Sequence, residues 1–513
     1  MNDGTHKTMI SFRHHAAIAS GIAALLLTGC TVGPKYQKPP AMAQAPPAAY
    51  KESPTQFPAT PGEWKVAQPQ DTMLRGKWWE VYGDPELNAL EEKLNIDNQS
   101  IKVSFANFME ARTLIAQARA QQYPTLTAAP TFGRSLSSGA LTNASTANTG
   151  KESSITTMGL DASWAPDLFG RVRNLISEEQ YGAQVSAADL ENVKLTEQAT
   201  LALTLFELHG QDTLQAVFAQ TVADDQKSLD YTRAQYETGV GTEISVVEAE
   251  NTQENAQAAL TGVGVARAQY EHAIAMLTGK DASTFSIPVK PLKATPPALP
   301  IGLPSQLLER RPDIAAAERT MASANAQIGV ATAAFYPALT LTAAGGYQSS
   351  TLLNLFSWPS RFWSLGAAAS QPLFDAGLRR ATVNQYIEVY NADVASYRQT
   401  VLTAFQQVED YLAAERILSQ QLQQQQAAAD SAQRFVELEV SRYQLGIDPY
   451  IDVVTAQTTL LTDQQVVSNL HTELMTASVQ LIEALGGGWD NTQLPTPAQV
   501  SVKMTPAETT IQK

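Results

Sequence analysis

Two spacings of apolar residues alternate along the chain, and each predicts a different element. Between Leu126 and Trp164 the apolar positions fall at every second residue: Leu126, Ala128, Pro130 and Phe132, then Met158, Leu160, Ala162 and Trp164. The alternation returns at Leu339, Leu341, Ala343 and Tyr347, and again at Trp363, Leu365, Ala367 and Ala369. Period two puts one set of side chains on one face of a strand, which predicts two hairpins, one within 125–166 and one within 338–372. Small polar residues on the other face fit a transmembrane strand, and they fit a half-buried soluble sheet as well. Ser137 to Ser153 is almost wholly Ser, Thr, Asn, Gly and Ala and reads as the solvent loop of the first hairpin.

The second spacing is a mixed three and four, as at Val401, Phe405, Val408 and Leu412, and it predicts helices. Asn174 to Tyr236 is 63 residues without Pro and with few Gly; Arg379 to Arg442 is 64 with neither. Each would run about 95 Å as a helix, longer than a globular domain holds. Much of their surface is Ala, Gln, Thr and Ser, so such rods bury a narrow seam and leave the rest wet, like staves of a hollow wall. After a tight turn each is followed by a return helix of 34 residues, Ser245 to Thr278 or Asp452 to Leu485. Asp84 and Pro85, as N-cap and first helical residue, open another helix that Tyr123-Pro124 closes.

These elements occur twice in the same order. Tyr236, Gly239, Ile244, Val246, Val247 and Ala249 match Tyr443, Gly446, Ile451, Val453, Val454 and Ala456 at a constant offset of 207. Tyr123-Pro124 recurs as Tyr336-Pro337 at an offset of 213, and Asp167-Leu168-Phe169-Gly170-Arg171 is echoed by Leu373-Phe374, Gly377 and Arg379. A tandem duplication follows. The predicted organisation is a leader over 1–29, an extended Pro-rich segment over 30–72, a first repeat over 73–290, a second over 291–487, and a tail over 488–513.

The leader carries Lys7, Arg13, His14 and His15 before the apolar run Ala16 to Leu27, as a signal peptide does. It ends in Leu27-Thr28-Gly29-Cys30, a bacterial lipobox, and Cys30 is the sole cysteine, so it has no partner for an internal disulfide. A diacylglycerol thioether and an N-acyl chain on Cys30 would anchor the mature protein to a leaflet; Thr31, rather than Asp, after the cysteine favours the outer membrane. Beyond the leader no apolar run reaches the 18 residues of a spanning helix, which excludes a multi-helix membrane protein. The net charge of −15, without any run of Lys or Arg, argues against nucleic acid as a partner. No enzyme is expected: the mature histidines are His209, His272 and His471, and there is no HExxH, nucleophile elbow or phosphate loop. No metal site or cofactor is expected beyond the lipid on Cys30.

Four strands do not close a lipid-exposed barrel, so the chain must assemble, and two, three or four copies would give eight, twelve or sixteen strands. The choice comes from a resemblance. Leu303-Pro304-Ser305 through Arg310-Arg311-Pro312-Asp313, Ala324-Asn325-Ala326-Gln327-Ile328-Gly329, Phe335-Tyr336-Pro337, Trp78-Trp79, Asp84-Pro85-Glu86-Leu87 and Asp167-Leu168-Phe169-Gly170-Arg171 closely resemble the NodT-type lipoprotein branch of the TolC-like outer-membrane efflux factors. The resemblance covers about Tyr36 to Gly487. It implies an α+β membrane protein of TolC-like fold: four transmembrane β-strands per chain, a twelve-stranded barrel in the homotrimer, and a long periplasmic α-helical barrel. It implies the exit duct of a tripartite efflux pump, set in outer-membrane lipid and docked on a periplasmic adaptor that links it to an inner-membrane transporter of RND type. A type I protein-secretion duct is the nearest alternative, and a pore-less envelope strut the remote one.

The same resemblance puts the two tight turns at the periplasmic tips. Gly239, Val240 and Thr242 in one turn, and Gly446, Ile447 and Pro449 in the other, fall where an adaptor docks. Tyr443 matches a tyrosine that ties the closed tip, and Asp452 an aspartate of a constricting carboxylate ring. Asp448 stands where TolC has an arginine and Ser245 replaces the corresponding aspartate in the first copy, so the pairing that locks TolC is absent or rebuilt. By position alone, Asp452 is a first-turn carboxylate favoured at a helix N-terminus.

Overall fold

The computed structural model describes residues 31–42, 49–52, 76–136, 138, 152–297 and 308–501. The lipobox, the leader, most of the loop before Glu152, most of the Pro-rich segment and the last twelve residues lie outside them.

Each repeat contributes one very long helix because nothing in its sequence stops one. Arg171–Glu237 (here α3) and Leu378–Gln444 (α6) are 67 residues each, about 100 Å long. Both start after a left-handed glycine, Gly170 or Gly377, that turns the chain out of the sheet. The return helices Glu243–Leu277 (α4) and Tyr450–Ala484 (α7) are 35 residues each and cover only half of their partners. Shorter helices take the other half: Pro85–Asp97 (α1) and Gln99–Ala120 (α2) in the first repeat, Pro312–Ala333 (α5) in the second.

The single opening helix expected from Asp84 to Gln122 is therefore two helices. Asn98 breaks it by leaving the helical region (φ −59°, ψ 129°) and capping α2, its side chain accepting from Ile101 N at 3.0 Å. Its Nδ2 donates to Leu277 O at 3.0 Å and to Glu197 at 2.9 Å, so the kink is fixed by helices α3 and α4.

The strands form one antiparallel sheet. Pro130 lacks an amide hydrogen, and the first strand is split around it into Thr125–Ala128 (β1) and Thr131–Leu136 (β2). Both pair with Glu152–Trp164 (β3), which pairs with Ala338–Ser349 (β4), which pairs with Arg361–Ser370 (β5). Register puts Leu126 opposite Ala162, and Met158, Leu160, Ala162 and Trp164 opposite Tyr347, Gly345, Ala343 and Leu341. Those lie in turn opposite Arg361, Trp363, Leu365 and Ala367, so one face is almost wholly apolar from edge to edge. It is bare in the protomer: Leu126, Leu160, Trp363 and Leu365 are all exposed. The opposite face carries Thr127, Gly159, Asp161, Ser163, Thr342, Ser364 and Gly366. Strands of 13, 12 and 10 residues meet the length a tilted membrane strand requires, roughly 9–11 residues. Among the described residues no helix is long and apolar enough to cross a membrane.

The main core sits where the repeats meet below the sheet. Trp78, Leu87, Leu94, Leu205, Phe206 and Ile274 of the first repeat pack with Met475, Val479 and Ile482 of the second. A second cluster joins Tyr397, Val401 and Val408 of α6 to Ile314 and Met321 of α5, and the N-terminal segment adds Tyr50. Where described, that segment has no helix or strand, yet it is docked. Val32 N donates to Phe169 O (3.1 Å), Asn174 Nδ2 to Val32 O (2.9 Å), and Lys51 N and Glu52 N to the Glu409 carboxylate (2.8 and 3.0 Å). The described start of the C-terminal tail is docked too. A capping box of Thr496 and Gln499 nucleates one turn, Pro497–Val500, and Val500 is buried against Ile115 and Ala183.

Candidate functional site

The ends of α3 and α6 farthest from the sheet are two tight turns built alike. In each the last helical carbonyls are closed by a glycine in the left-handed region, Gly239 (φ 77°) and Gly446 (φ 73°). Val240 N reaches back to Gln235 O at 3.0 Å and Gly239 N to Tyr236 O at 3.0 Å; Ile447 N reaches Arg442 O at 3.0 Å and Gly446 N reaches Tyr443 O at 2.9 Å. This is a Schellman closure, and an L side chain at either glycine would be strained by its φ alone.

The helix starts that follow differ. Thr242 caps α4, its Oγ1 accepting from Ser245 N at 3.2 Å, so Ser245 stands in a capping contact. Pro449 stands at the N-cap of α7 without a side-chain cap, and Asp452 supplies the acid in the first turn, half-buried and with no ion pair among the described residues. Val240, Ile447 and Thr242 are accessible to a partner, Val240 and Ile447 as exposed apolar tips.

Asp448 is tied within its own turn. Arg442 Nη2 donates to Asp448 Oδ1 at 3.0 Å, and its Nε donates to Oδ2. That guanidinium holds the Asp448 carboxyl below the usual carboxylate range, so the pair persists at neutral pH and is lost on acidification through that lowered value. Sequence reading missed Arg442 because its partner lies six residues away across a turn rather than on one helix face.

Tyr443 is half-buried in an aromatic cluster that joins the repeats. Its ring lies 5.9 Å from Tyr231 of α3, edge-on, and 5.2 Å from Tyr450 of α7. Burial raises its phenol pKa above the ordinary value. Tyr231 OH donates to Gln444 O at 3.4 Å, so the long helix of the first repeat holds the turn of the second. Tyr443, Asp448 and Asp452 thus lie together at one tip, with Gly239 and Thr242 at the neighbouring one. No cluster of three His, Cys, Asp or Glu among the described residues is placed to hold a metal.

The model of the outer membrane efflux protein family matches residues 91–280 and 303–487, one segment in each repeat. The chain is 31% identical over 485 residues to the probable efflux pump outer membrane protein TtgC of Pseudomonas putida, covering 92% of this chain and 95% of that protein. Among solved structures it is similar to the outer-membrane channel OprN, with a TM-score of 0.79 and 26% identity over 90% of this chain and all of that one. It is similar also to the open state of the MtrE outer membrane channel of Neisseria gonorrhoeae, with a TM-score of 0.76 and 25% identity over 90% of this chain and 99% of that one. The duplicated helices, the shared sheet and these matches agree, and the chain belongs to the outer membrane efflux protein family.

Proposed function

We propose that three copies of this chain form one duct, twelve strands through the outer membrane continuing into a periplasmic helical tunnel. A periplasmic adaptor and an inner-membrane transporter of RND type would complete the pump. As a family member the chain is an outer-membrane efflux component and not an enzyme. The observation that carries the duct is the sheet. Its apolar face is bare from β1 to β5, and its two outer strands leave backbone donors and acceptors unpaired. In hydrocarbon each unpaired group costs several kcal/mol, so the edges must meet those of other copies around a closed wall.

The described N-terminus supports a lipid anchor on Cys30. Thr31, the next residue, packs against Gly170 where β3 passes into α3. The aromatic pair Phe169 and Tyr336 is stacked at 4.8 Å at that same end of the sheet. Acyl chains attached one residue away would enter the leaflet beside the barrel. Cys30→Ala should abolish incorporation of labelled palmitate, and labelled mutant protein would refute the anchor.

At the other end, three copies of Asp452 would converge where the tips approach one another. The helix start leaves this carboxylate free of any ion pair among the described residues, so a ring of three would disfavour anions and draw cations, most strongly at low salt. The test is single-channel conductance of the purified protein in planar bilayers. Wild type should show a small, cation-preferring conductance, and Asp452→Ala a severalfold larger, less selective one. Pores indifferent to the substitution would return Asp452 to a helix-start role.

A further inference from the structure

Just above the turns, α3 of the first repeat and the α6–α7 pair of the second enclose a cavity of about 410 Å³. That is within the range of small-molecule sites, roughly 300–1,000 Å³. Val436, Val440 and Val453 give it an apolar wall, and Tyr231 and Tyr443 an aromatic one. On its α3 side lies Asp225, only 2% exposed, whose Oδ2 has no hydrogen-bond partner. Two further buried oxygens of the lining are unpartnered, the Tyr450 hydroxyl and Gln457 Oε1. Gln457 has committed its amide nitrogen to Ser228 Oγ at 3.2 Å, so only its acceptor remains.

A buried carboxylate oxygen normally finds a donor, and Asp225 Oδ2 has none among the described residues. The single Lys or Arg of the lining, Lys227, is taken by Asp224 at 2.8 Å and its side chain is 74% exposed. The other titratable groups around Asp225 are Asp224 and Tyr231 on α3, Glu437 and Tyr443 on α6, Tyr450 on α7 and Glu248 on α4, so among the described residues no helix brings a second cation to the lining. Burial, and then Asp224, lift the Asp225 carboxyl to about 6. At neutral pH it is still mostly ionised. Three unpaired acceptors, negative charge and an apolar, aromatic wall together describe the complement of one chemical class.

We propose that this cavity binds a small organic ammonium ion, its N–H groups on Asp225, Gln457 and Tyr450 and its apolar body against the valines and tyrosines. Such a ligand touches both repeats at once and holds α6 and α7 onto α3 directly above Gly239 and Gly446. Binding to the folded protein alone also stabilises it by mass action.

The probe is phenethylammonium chloride, titrated calorimetrically into the purified full-length protein in detergent, with thermal melts in parallel. Wild type should bind it and melt higher in its presence. Asp225→Asn, which keeps the side-chain shape, should weaken binding by at least about tenfold and abolish the melting shift. The uncharged analogue 2-phenylethanol should bind wild type at least about tenfold more weakly, a comparison that needs no variant. Lowering the pH to about 5 should cost wild type roughly tenfold as Asp225 takes up a proton. Absence of binding at millimolar probe, equal affinity for the alcohol, or equal affinity in Asp225→Asn would each overturn the site.

Discussion

Trp78→Ala is expected to lower the unfolding free energy by about 3–5 kcal/mol, the cost of emptying a large aromatic site in a core that cannot fully collapse around it. Trp78 is completely buried, stands edge-on to Trp79 at 6.0 Å, and lies in the cluster where α1, α3 and α4 meet α7 of the other repeat. Its indole Nε1 donates to Gln198 Oε1 at 3.2 Å, and Gln198 Nε2 donates in turn to Asn95 Oδ1 at 2.7 Å. Truncation therefore opens a void and also strands a buried acceptor, and the two costs add. Because the cluster joins helices of both repeats, the helical body should soften together rather than one helix fraying. Circular dichroism on chemical denaturation in detergent would measure it. Trp78→Phe should fall between, refilling most of the volume without the hydrogen bond. A loss below about 1 kcal/mol for Trp78→Ala would mean that the repeats are held mainly elsewhere.

The sequence signals that succeeded were those in which one physical requirement acts over many residues. A Gly-poor, Pro-free run above 60 residues predicts α3 and α6 because any stop needs a residue that is not there; each end lay one to three residues beyond the predicted one. The strand faces were legible because register enforces parity across the whole sheet. Single-residue decisions were not. Asn98 carries no Pro or Gly to announce a break, although a polar run from Asp97 to Ser100 with Asn at the cap position was the available clue. Pro130 was counted among the apolar positions of one strand, but its missing amide hydrogen divides that strand. The Thr496 to Gln499 capping box stood in a segment read as a tail.

Tip residues were located by resemblance, and their chemistry came only from tertiary contacts. Asp448 and Asp452 are both acids four residues apart in sequence, yet Arg442 is hydrogen-bonded to the first and reaches the second only through space, with no ion pair to it among the described residues. Asp224-Asp225 reads as a solvated pair on a helix, and the fold puts one on Lys227 at the surface and buries the other. A helix face has no fixed polarity until its neighbours are placed, and here those neighbours come from the other repeat, some two hundred residues away.

Gly346→Ala should reduce the outer-membrane fraction of the protein by about an order of magnitude, while the adjacent Gly345→Ala leaves it nearly unchanged. A β-carbon at 346 would run into the main chain of β3, meeting Met158 O and coming within 2.5 Å of the Gly159 Cα. Neither atom can move aside as a flexible side chain could. Relief requires β4 to shift against β3, and their ladder from Thr156–Ser349 to Trp164–Leu341 is the only seam joining the two hairpins among the described strands. Overpacking typically costs about 1–3 kcal/mol, and a backbone clash inside a ladder belongs at the upper end. At 345 the nearest atom to an added β-carbon is Phe362 O at 3.8 Å, an ordinary contact, and the residue lies on the apolar face opposite Leu160 and Trp363. The two alanines differ by one position in sequence and by the whole side of the sheet in space. Membrane fractionation with heat-modifiability on gels would read both, and equal behaviour of the two variants would show that the β3–β4 seam tolerates separation.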